Sequence, residues 1–327
     1  VMRILDAKVP GVEFYCANTD VRALNGIHDA EVIHLGENVT HGLGAGGNVE
    51  VGLKAAQESA TAIREALSGA DLVFITAGLG GGTGSGAAPV VAEIASTLGA
   101  LTVGIVTTPF SFEGPKHAAI ANAALMTLES KVDMLIAVSN ERLLDLAGKR
   151  TSAQEAFKKA DEVSAQAIIG VSRIINVPGQ INVDFADLKA ILKKAGTGII
   201  ATGRGAGEDR VIKATKAAIE NPLADISIEG ARGVLFVLTG GPNLSLAELN
   251  EAGRLIADTI DPEAQAFFGM AVDPKMGEDV EVLLVATHLQ HHLGIAQGRS
   301  QRSEPFQSPR SATAGSQTAS KGRPYPS

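Results

Sequence analysis

The 327-residue sequence has one cysteine, no tryptophan and two tyrosines, and aromatics make up only 4% of it. A lone Cys16 excludes an internal disulfide framework and any zinc site built from cysteines alone. In the apolar stretch 12–17 it reads as a small core thiol. So few aromatics argue against a surface that stacks nucleobases. No apolar run approaches the ~18 residues of a membrane span, and no basic-then-apolar leader opens the chain. Basic charge is scarce too. Residues 289–327 carry five basic side chains and one acidic, a net +4, so the rest of the chain holds −12 of the overall −8. An acidic body argues against broad nucleic-acid binding, which runs on Lys and Arg. It leaves a small phosphate ligand open, because glycine-rich loops bind phosphate with backbone N–H groups.

Glycine is what the chain has in quantity, 37 residues, with 45% hydrophobic and 20% charged residues. That is the composition of a soluble globular protein, and ~100–200 residues per domain suggests two domains. Apolar runs at 12–18, 30–35, 71–77, 101–107 and 134–138 read as strands. They alternate with helical patterns at 48–67, 87–98 and 116–130, which predicts a parallel sheet covered on both faces. One long helical pattern, 152–176, follows and stops at Pro178-Gly179; its length suits a strut between domains. A second α/β block has helices at 184–195, 208–219 and 246–260, and strands at 198–203, 233–239, 264–272 and 279–287, predicting a mixed sheet. From about 289 the Ser, Gln, Pro, Gly and Arg text reads as a disordered tail.

The strongest local signal is GGGTGSG at 80–86, five glycines in seven residues after a strand and opening a helix. Bare glycines let a backbone approach an anion, and the helix adds unpaired N–H groups and the positive end of its dipole. Thr83 and Ser85 add hydroxyls. No Gly-Lys-Ser/Thr triplet exists for a Walker P-loop. A dinucleotide reading of Gly82-x-Gly84-x-x-Ala87 lacks its ribose carboxylate, since nothing acidic lies between Glu93 and Glu113. A second glycine loop, 42–48, also precedes a helix, so two loops can grip one polyphosphate from two sides. Asn18-Thr19-Asp20 ends the first strand on the same edge. Asp20 there suits either an Asx turn or a contact to Mg²⁺ or its waters.

These segments together resemble the tubulin/FtsZ GTPase superfamily, and the FtsZ branch more than tubulin. The resemblance rests on GVEFYCANTDVRAL (11–24), GLGAGGNVEVG (42–52), GLGGGTGSGAAPVVAEIA (78–95), TPFSFEG (108–114), NERLL (140–144), VPGQINVDFADLKAIL (177–192), GEDR (207–210) and GARGVLFVLTGG (230–241). It implies a tubulin-like two-domain α/β fold. A parallel GTPase sheet would occupy residues 1–150, a core helix 151–178, a smaller domain with a mixed sheet 179–288, and a disordered tail 289–327. It also implies GTP or GDP as ligand, with Mg²⁺, and head-to-tail self-assembly into a division ring in the cytoplasm. Neither nucleic acid nor membrane insertion is expected.

Residue by residue, the resemblance implies nucleotide contacts from Asn18, Ala45, Gly46, Gly47 and Asn48. Phosphate contacts fall to Gly81, Gly82, Thr83 and Gly84. Glu113 takes the ribose side, Asn140 lies near the base, and Phe157 and Asp161 stack on and read guanine. Read alone, Asp184 and Asp187 look like an N-cap and an acidic first turn. The resemblance makes Asn182, Asp184 and Asp187 a catalytic loop that enters the next subunit's pocket and polarises the attacking water. Three departures qualify it. The family's first strand and first phosphate loop precede anything matched here, so the chain reads as a fragment of a longer product. Where the family carries an arginine, this sequence has His117, a poorer phosphate ligand when neutral. The hydrophobic-acidic peptide that docks membrane anchors is not seen in the tail, and His288, His291 and His292 read as solvated.

Overall fold

In the computed structural model the described residues are 11–142, 153–176, 179–220 and 227–289; side chains 153–154, 156–164 and 176 lie outside the description. The first strands, β1 (Tyr15–Asn18) and β2 (Glu31–His34), form a parallel pair. A second, all-parallel sheet has the order β3 (Leu72–Gly78), β4 (Leu101–Thr108), β5 (Met134–Ser139) and β6 (Gly196–Thr197). Among the described residues β1 and β3 are each paired on one flank only. The burial differs accordingly: six of the eight residues of β4 are buried, but only two of the seven of β3. The third sheet is mixed, in the order β7 (Ile199–Gly205), β10 (Val280–Thr287), β8 (Gly233–Gly240), β9 (Gln265–Val272), with β10 antiparallel to both neighbours.

Short helices α1 (Val21–Leu24) and α2 (Glu37–Thr40) follow β1 and β2. The single helix expected over 48–67 is two, α3 (Val49–Glu58) and α4 (Ala60–Ala66). The break at Ser59 has a cause: its hydroxyl accepts from Gly36 N at 3.0 Å and donates to the His34 carbonyl at 3.2 Å, tethering it to the end of β2. Helix α5 (Gly82–Thr97) starts five residues earlier than expected, inside the glycine run. Glycine is tolerated there despite its helix cost because of crowding. A Cβ on Gly84 would meet the Gly78 carbonyl, and one on Gly86 would meet the Val49 carbonyl. Helix α6 (Pro115–Glu129) matches its expectation closely.

The long helix α7 (Ala153–Asn176) buries Ala165, Ile168, Val171 and Ser172, a stripe at helical spacing. That stripe shares one core with Val103 and Ile105 of β4, Ile136 of β5, Leu235 of β8 and Leu283 of β10, so α7 packs between the parallel and mixed sheets. Helix α8 (Phe185–Leu192) adds Leu188, Ile191 and Leu192 to the same core. Helices α9 (Arg210–Ile219) and α10 (Leu246–Ala257) cover the other face of the mixed sheet.

Candidate nucleotide site

The parallel strands all leave their loops at one edge, where α/β sheets bind ligands. Helix α5 opens that edge. Its N-cap, Gly81, is extended at φ −89° and offers no side-chain cap. A Cβ on Gly81 would meet nothing within 4 Å, so the uncapped N-cap position of α5 borders open space. Uncapped N–H groups and the positive dipole end suit an anion. Behind the turn, Ser85 is buried and its Oγ accepts from Gly80 N at 3.0 Å, which holds the loop.

The second glycine loop lies against the first. A Cβ on Gly82 would come within 2.8 Å of both Asn48 N and Asn48 O and 2.9 Å of Ala45 Cβ. Gly46 and Gly47 have φ of 57° and 74°, and open space lies where their side chains would be. The two glycine loops expected to share a ligand thus pack against each other. Asn48 is also the N-cap of α3, its Oδ1 accepting from Glu50 N at 2.9 Å. Asn18 Oδ1 accepts from Asp20 N at 3.2 Å. Asp20 caps α1 through Arg22 N at 2.9 Å and pairs with the Arg22 guanidinium at 2.9 Å. Those Arg22 hydrogen bonds hold its carboxyl below the ordinary range. Of the two readings of Asp20, the turn is the one the geometry displays.

Around the rim, Glu113 Oε1 accepts from Phe110 N at 2.9 Å, closing a 3₁₀ turn over Ser111–Glu113. His117 is exposed on α6, and its Cβ would sit 3.4 Å from a Cβ on Gly80, so its backbone lies beside the glycine loop. Asn140, immediately after β5, is buried, and its Oδ1 has no hydrogen-bond partner among the described residues. An orphaned buried acceptor is costly unless a ligand donates to it. It fits a group carrying N–H or O–H donors, as guanine and ribose do. Phe157 and Asp161 lie on the backbone of α7, but their side chains are outside the described residues.

The carboxylate pair is elsewhere. Asp184 Oδ1 accepts from Asp187 N at 2.8 Å, and Asp187 Oδ2 accepts from Asp184 N at 3.2 Å, a reciprocal capping box on α8. Asn182 Oδ1 accepts from Gly179 N at 2.6 Å. Helix α8 ends at Lys193, whose Nζ lies 3.2 Å from Asp133, at the start of β5 and hence on the opposite edge of the sheet. The side-chain hydrogen bonds described for the turn at 182–187 stay within residues 179–187.

Sequence reasoning assigned no role to two polar groups that organise this architecture. Thr19 is fully buried, with its Oγ1 2.6 Å from Thr83 Oγ1. Buried Asp133 accepts from Thr102 N at 3.0 Å and Thr102 Oγ1 at 3.2 Å, joining β4 to β5. A small polar residue closing an apolar strand was the signal available for Thr19.

Comparison with known proteins agrees with this geometry. Residues 7–148 match the Tubulin/FtsZ family GTPase domain, and residues 196–290 match the FtsZ family C-terminal domain. An FtsZ dimer from M. jannaschii, described as empty, superposes with a TM-score of 0.82 at 40% identity, covering 88% of this chain and 84% of that one. CetZ1 from Haloferax volcanii, a GDP-bound monomer, superposes at 0.76 with 21% identity over 88% and 91% of the two chains. CetZ2 from the same organism, a GTPγS-bound protofilament, does so at 0.74 with 20% identity over 89% and 87%. The two CetZ likenesses establish shared fold only, whereas the identity to FtsZ and the two family matches establish descent: the chain belongs to the tubulin/FtsZ family of GTPases.

Proposed function

We propose that this chain binds GTP and GDP at the glycine-loop edge and hydrolyses GTP in a site completed by the 182–187 turn of a second copy. Repetition of that contact would build head-to-tail filaments of a cytoplasmic division ring. The observation that carries the reading is the open, uncapped N-terminus of α5 with the 42–48 loop packed against it. The orphaned Asn140 acceptor supports a base or ribose with donors. In this reading Gly81, Gly82, Thr83 and Gly84 hold phosphates through backbone N–H groups, and Ala45, Gly46, Gly47, Asn48 and Asn18 close the pocket. Glu113 takes ribose hydroxyls, and Phe157 and Asp161 take the guanine. Asp20 is engaged with Arg22, so Mg²⁺ would be held mainly by nucleotide oxygens and water, where it offsets phosphate charge.

A turn with Asn182 and Asp184 exposed fits a heterologous contact, which repeats without closing. Asp184 and Asp187 would there orient water, in a reaction that is mostly positioning and charge stabilisation. Leu43 and Phe112, exposed at the loop edge, are apolar surface consistent with burial in that contact. Among the described residues no helix is long and apolar enough to cross a membrane.

The test is equilibrium binding of GTP against ATP, followed by hydrolysis at rising protein concentration. Guanine-selective binding with a rate per chain that climbs with concentration is expected. Binding with no hydrolysis at any concentration would favour a second reading, prompted by the imidazole of His117: a paralogue that co-assembles without turning over GTP. Failure of the folded chain to bind any guanine nucleotide would sink both.

A further inference from the structure

Thr19 sits at the junction of three segments and is entirely buried. Its carbonyl accepts from Gly44 N at 3.0 Å, in the 42–48 loop, and from Thr40 Oγ1 at 3.2 Å. Its hydroxyl lies 2.6 Å from that of Thr83, the second residue of α5. Two hydroxyls this close share one hydrogen, so one donates and the other accepts. The direction matters to a ligand. If Thr83 donates inward, it turns only lone pairs toward the open space at the head of α5, and an anion there is repelled. If Thr19 donates outward, Thr83 keeps its own hydrogen free, and half-buried Thr83 can give it to a phosphate oxygen. Donation in series also strengthens each bond of the chain.

We propose that Thr19 is a positioning residue for phosphate recognition. Its buried hydroxyl donates to Thr83 and thereby fixes the Thr83 hydroxyl as a donor to the nucleotide's phosphate. The inference rests on the nucleotide-binding reading above and deepens it. It gives the first strand's end a task toward the phosphate without touching it. Thr19→Val keeps the shape and removes the donor, and Thr19→Ser keeps the donor and removes a methyl.

The experiment measures the affinity of the full chain for GDP and for guanosine, which lacks phosphate, in wild type, Thr19→Val, Thr19→Ser, Thr83→Val and the double valine variant. Thr19→Val is expected to weaken GDP binding about tenfold and leave guanosine unchanged, with Thr19→Ser close to wild type. The double variant should bind GDP no more weakly than Thr83→Val alone, because the first hydroxyl acts only through the second. Equal loss of guanosine and GDP in Thr19→Val would reduce Thr19 to packing and overturn the proposal, as would full additivity of the two valine effects. If Thr19→Val does not fold, Thr19→Cys, whose thiol is a weak donor, carries the same comparison. A folded wild type that binds no guanine nucleotide refutes the underlying reading before any variant is made, so the two failures are distinguishable.

Discussion

The glycine-loop edge and the outer face of the mixed sheet treat polar groups in opposite ways. On the outer face, Arg210 is nearly buried and its donors are occupied. Its Nε and Nη2 reach Glu248 at 2.7 and 3.2 Å, and Nη1 reaches the Glu278 carbonyl at 2.8 Å. Two further bonds go to Asn243. At the loop edge the N-terminus of α5 has no side-chain cap and Asn140 Oδ1 has no partner among the described residues. Saturated polarity holds a fold together, and polarity left open is what a ligand could satisfy. The Arg210 cluster, for all its charge, therefore reads as structure, while the edge with few charges reads as function.

The comparison breaks most visibly at Arg210. Arg210→Met should cost about 3 kcal/mol, because it removes five hydrogen bonds and leaves Glu248 to those from Ser245. Urea denaturation would show it, with GTP affinity at the far edge unchanged. The pH dependence follows. The Arg210 hydrogen bonds, against burial, hold the Glu248 carboxyl below its ordinary range. A carboxyl lowered in the folded state contributes stability above its unfolded value of ~4.3, lost as pH falls through the lower folded value. The stability gap between wild type and Arg210→Met should therefore narrow below about pH 4, leaving the part owed to the Glu278 carbonyl and Asn243. A gap of constant size would mean that packing, not charge, dominates the cluster.

Next in size is a pair of neighbouring glycines. Gly82→Ala drives a Cβ against the Asn48 backbone and should cost ~1–3 kcal/mol of stability. Gly81→Ala adds its methyl to open space at an allowed φ, so stability should stay within ~0.5 kcal/mol. GTP affinity should nevertheless fall about tenfold if that space is where phosphate sits. Equal stability losses for the two variants would dissolve the distinction between packed and open glycines. Smaller still, and of opposite sign, is His117→Arg. It places a permanent, bidentate cation beside Gly80 and should tighten GTP binding severalfold at pH 7.5. No change there would remove His117 from the site.

How much of this could be read beforehand depends on whether the cause is local. Both glycine loops were legible because strings of glycine beside strands have few other uses. The long helix was legible from its apolar stripe, and the capping pair Asp184 and Asp187 from its three-residue spacing. Ser59 was not, because the helix breaks through bonds to Gly36 and His34, more than twenty residues away. The early start of α5 depends on Asn48 and Val49 filling the space that side chains would need. The Thr19–Thr83 bond joins residues 64 apart, and no local pattern announces it.

Asp184 poses the finest test, because it could belong to either side of the comparison. Its Oδ1 caps α8, a structural task, while its exposed position suits chemistry in a second copy's pocket. The two roles separate by substitution. Asp184→Ala loses cap and carboxylate together and should cost ~1 kcal/mol of stability. Asp184→Asn keeps a competent cap and loses only the charge, so its stability should match wild type within a few tenths of a kcal/mol. If the carboxylate serves hydrolysis, both variants should bind GTP normally and lose turnover to the same degree, despite differing in stability. Turnover that follows stability instead, normal in Asn and reduced in Ala, would leave Asp184 a cap and return the chemistry to Asp187 or elsewhere.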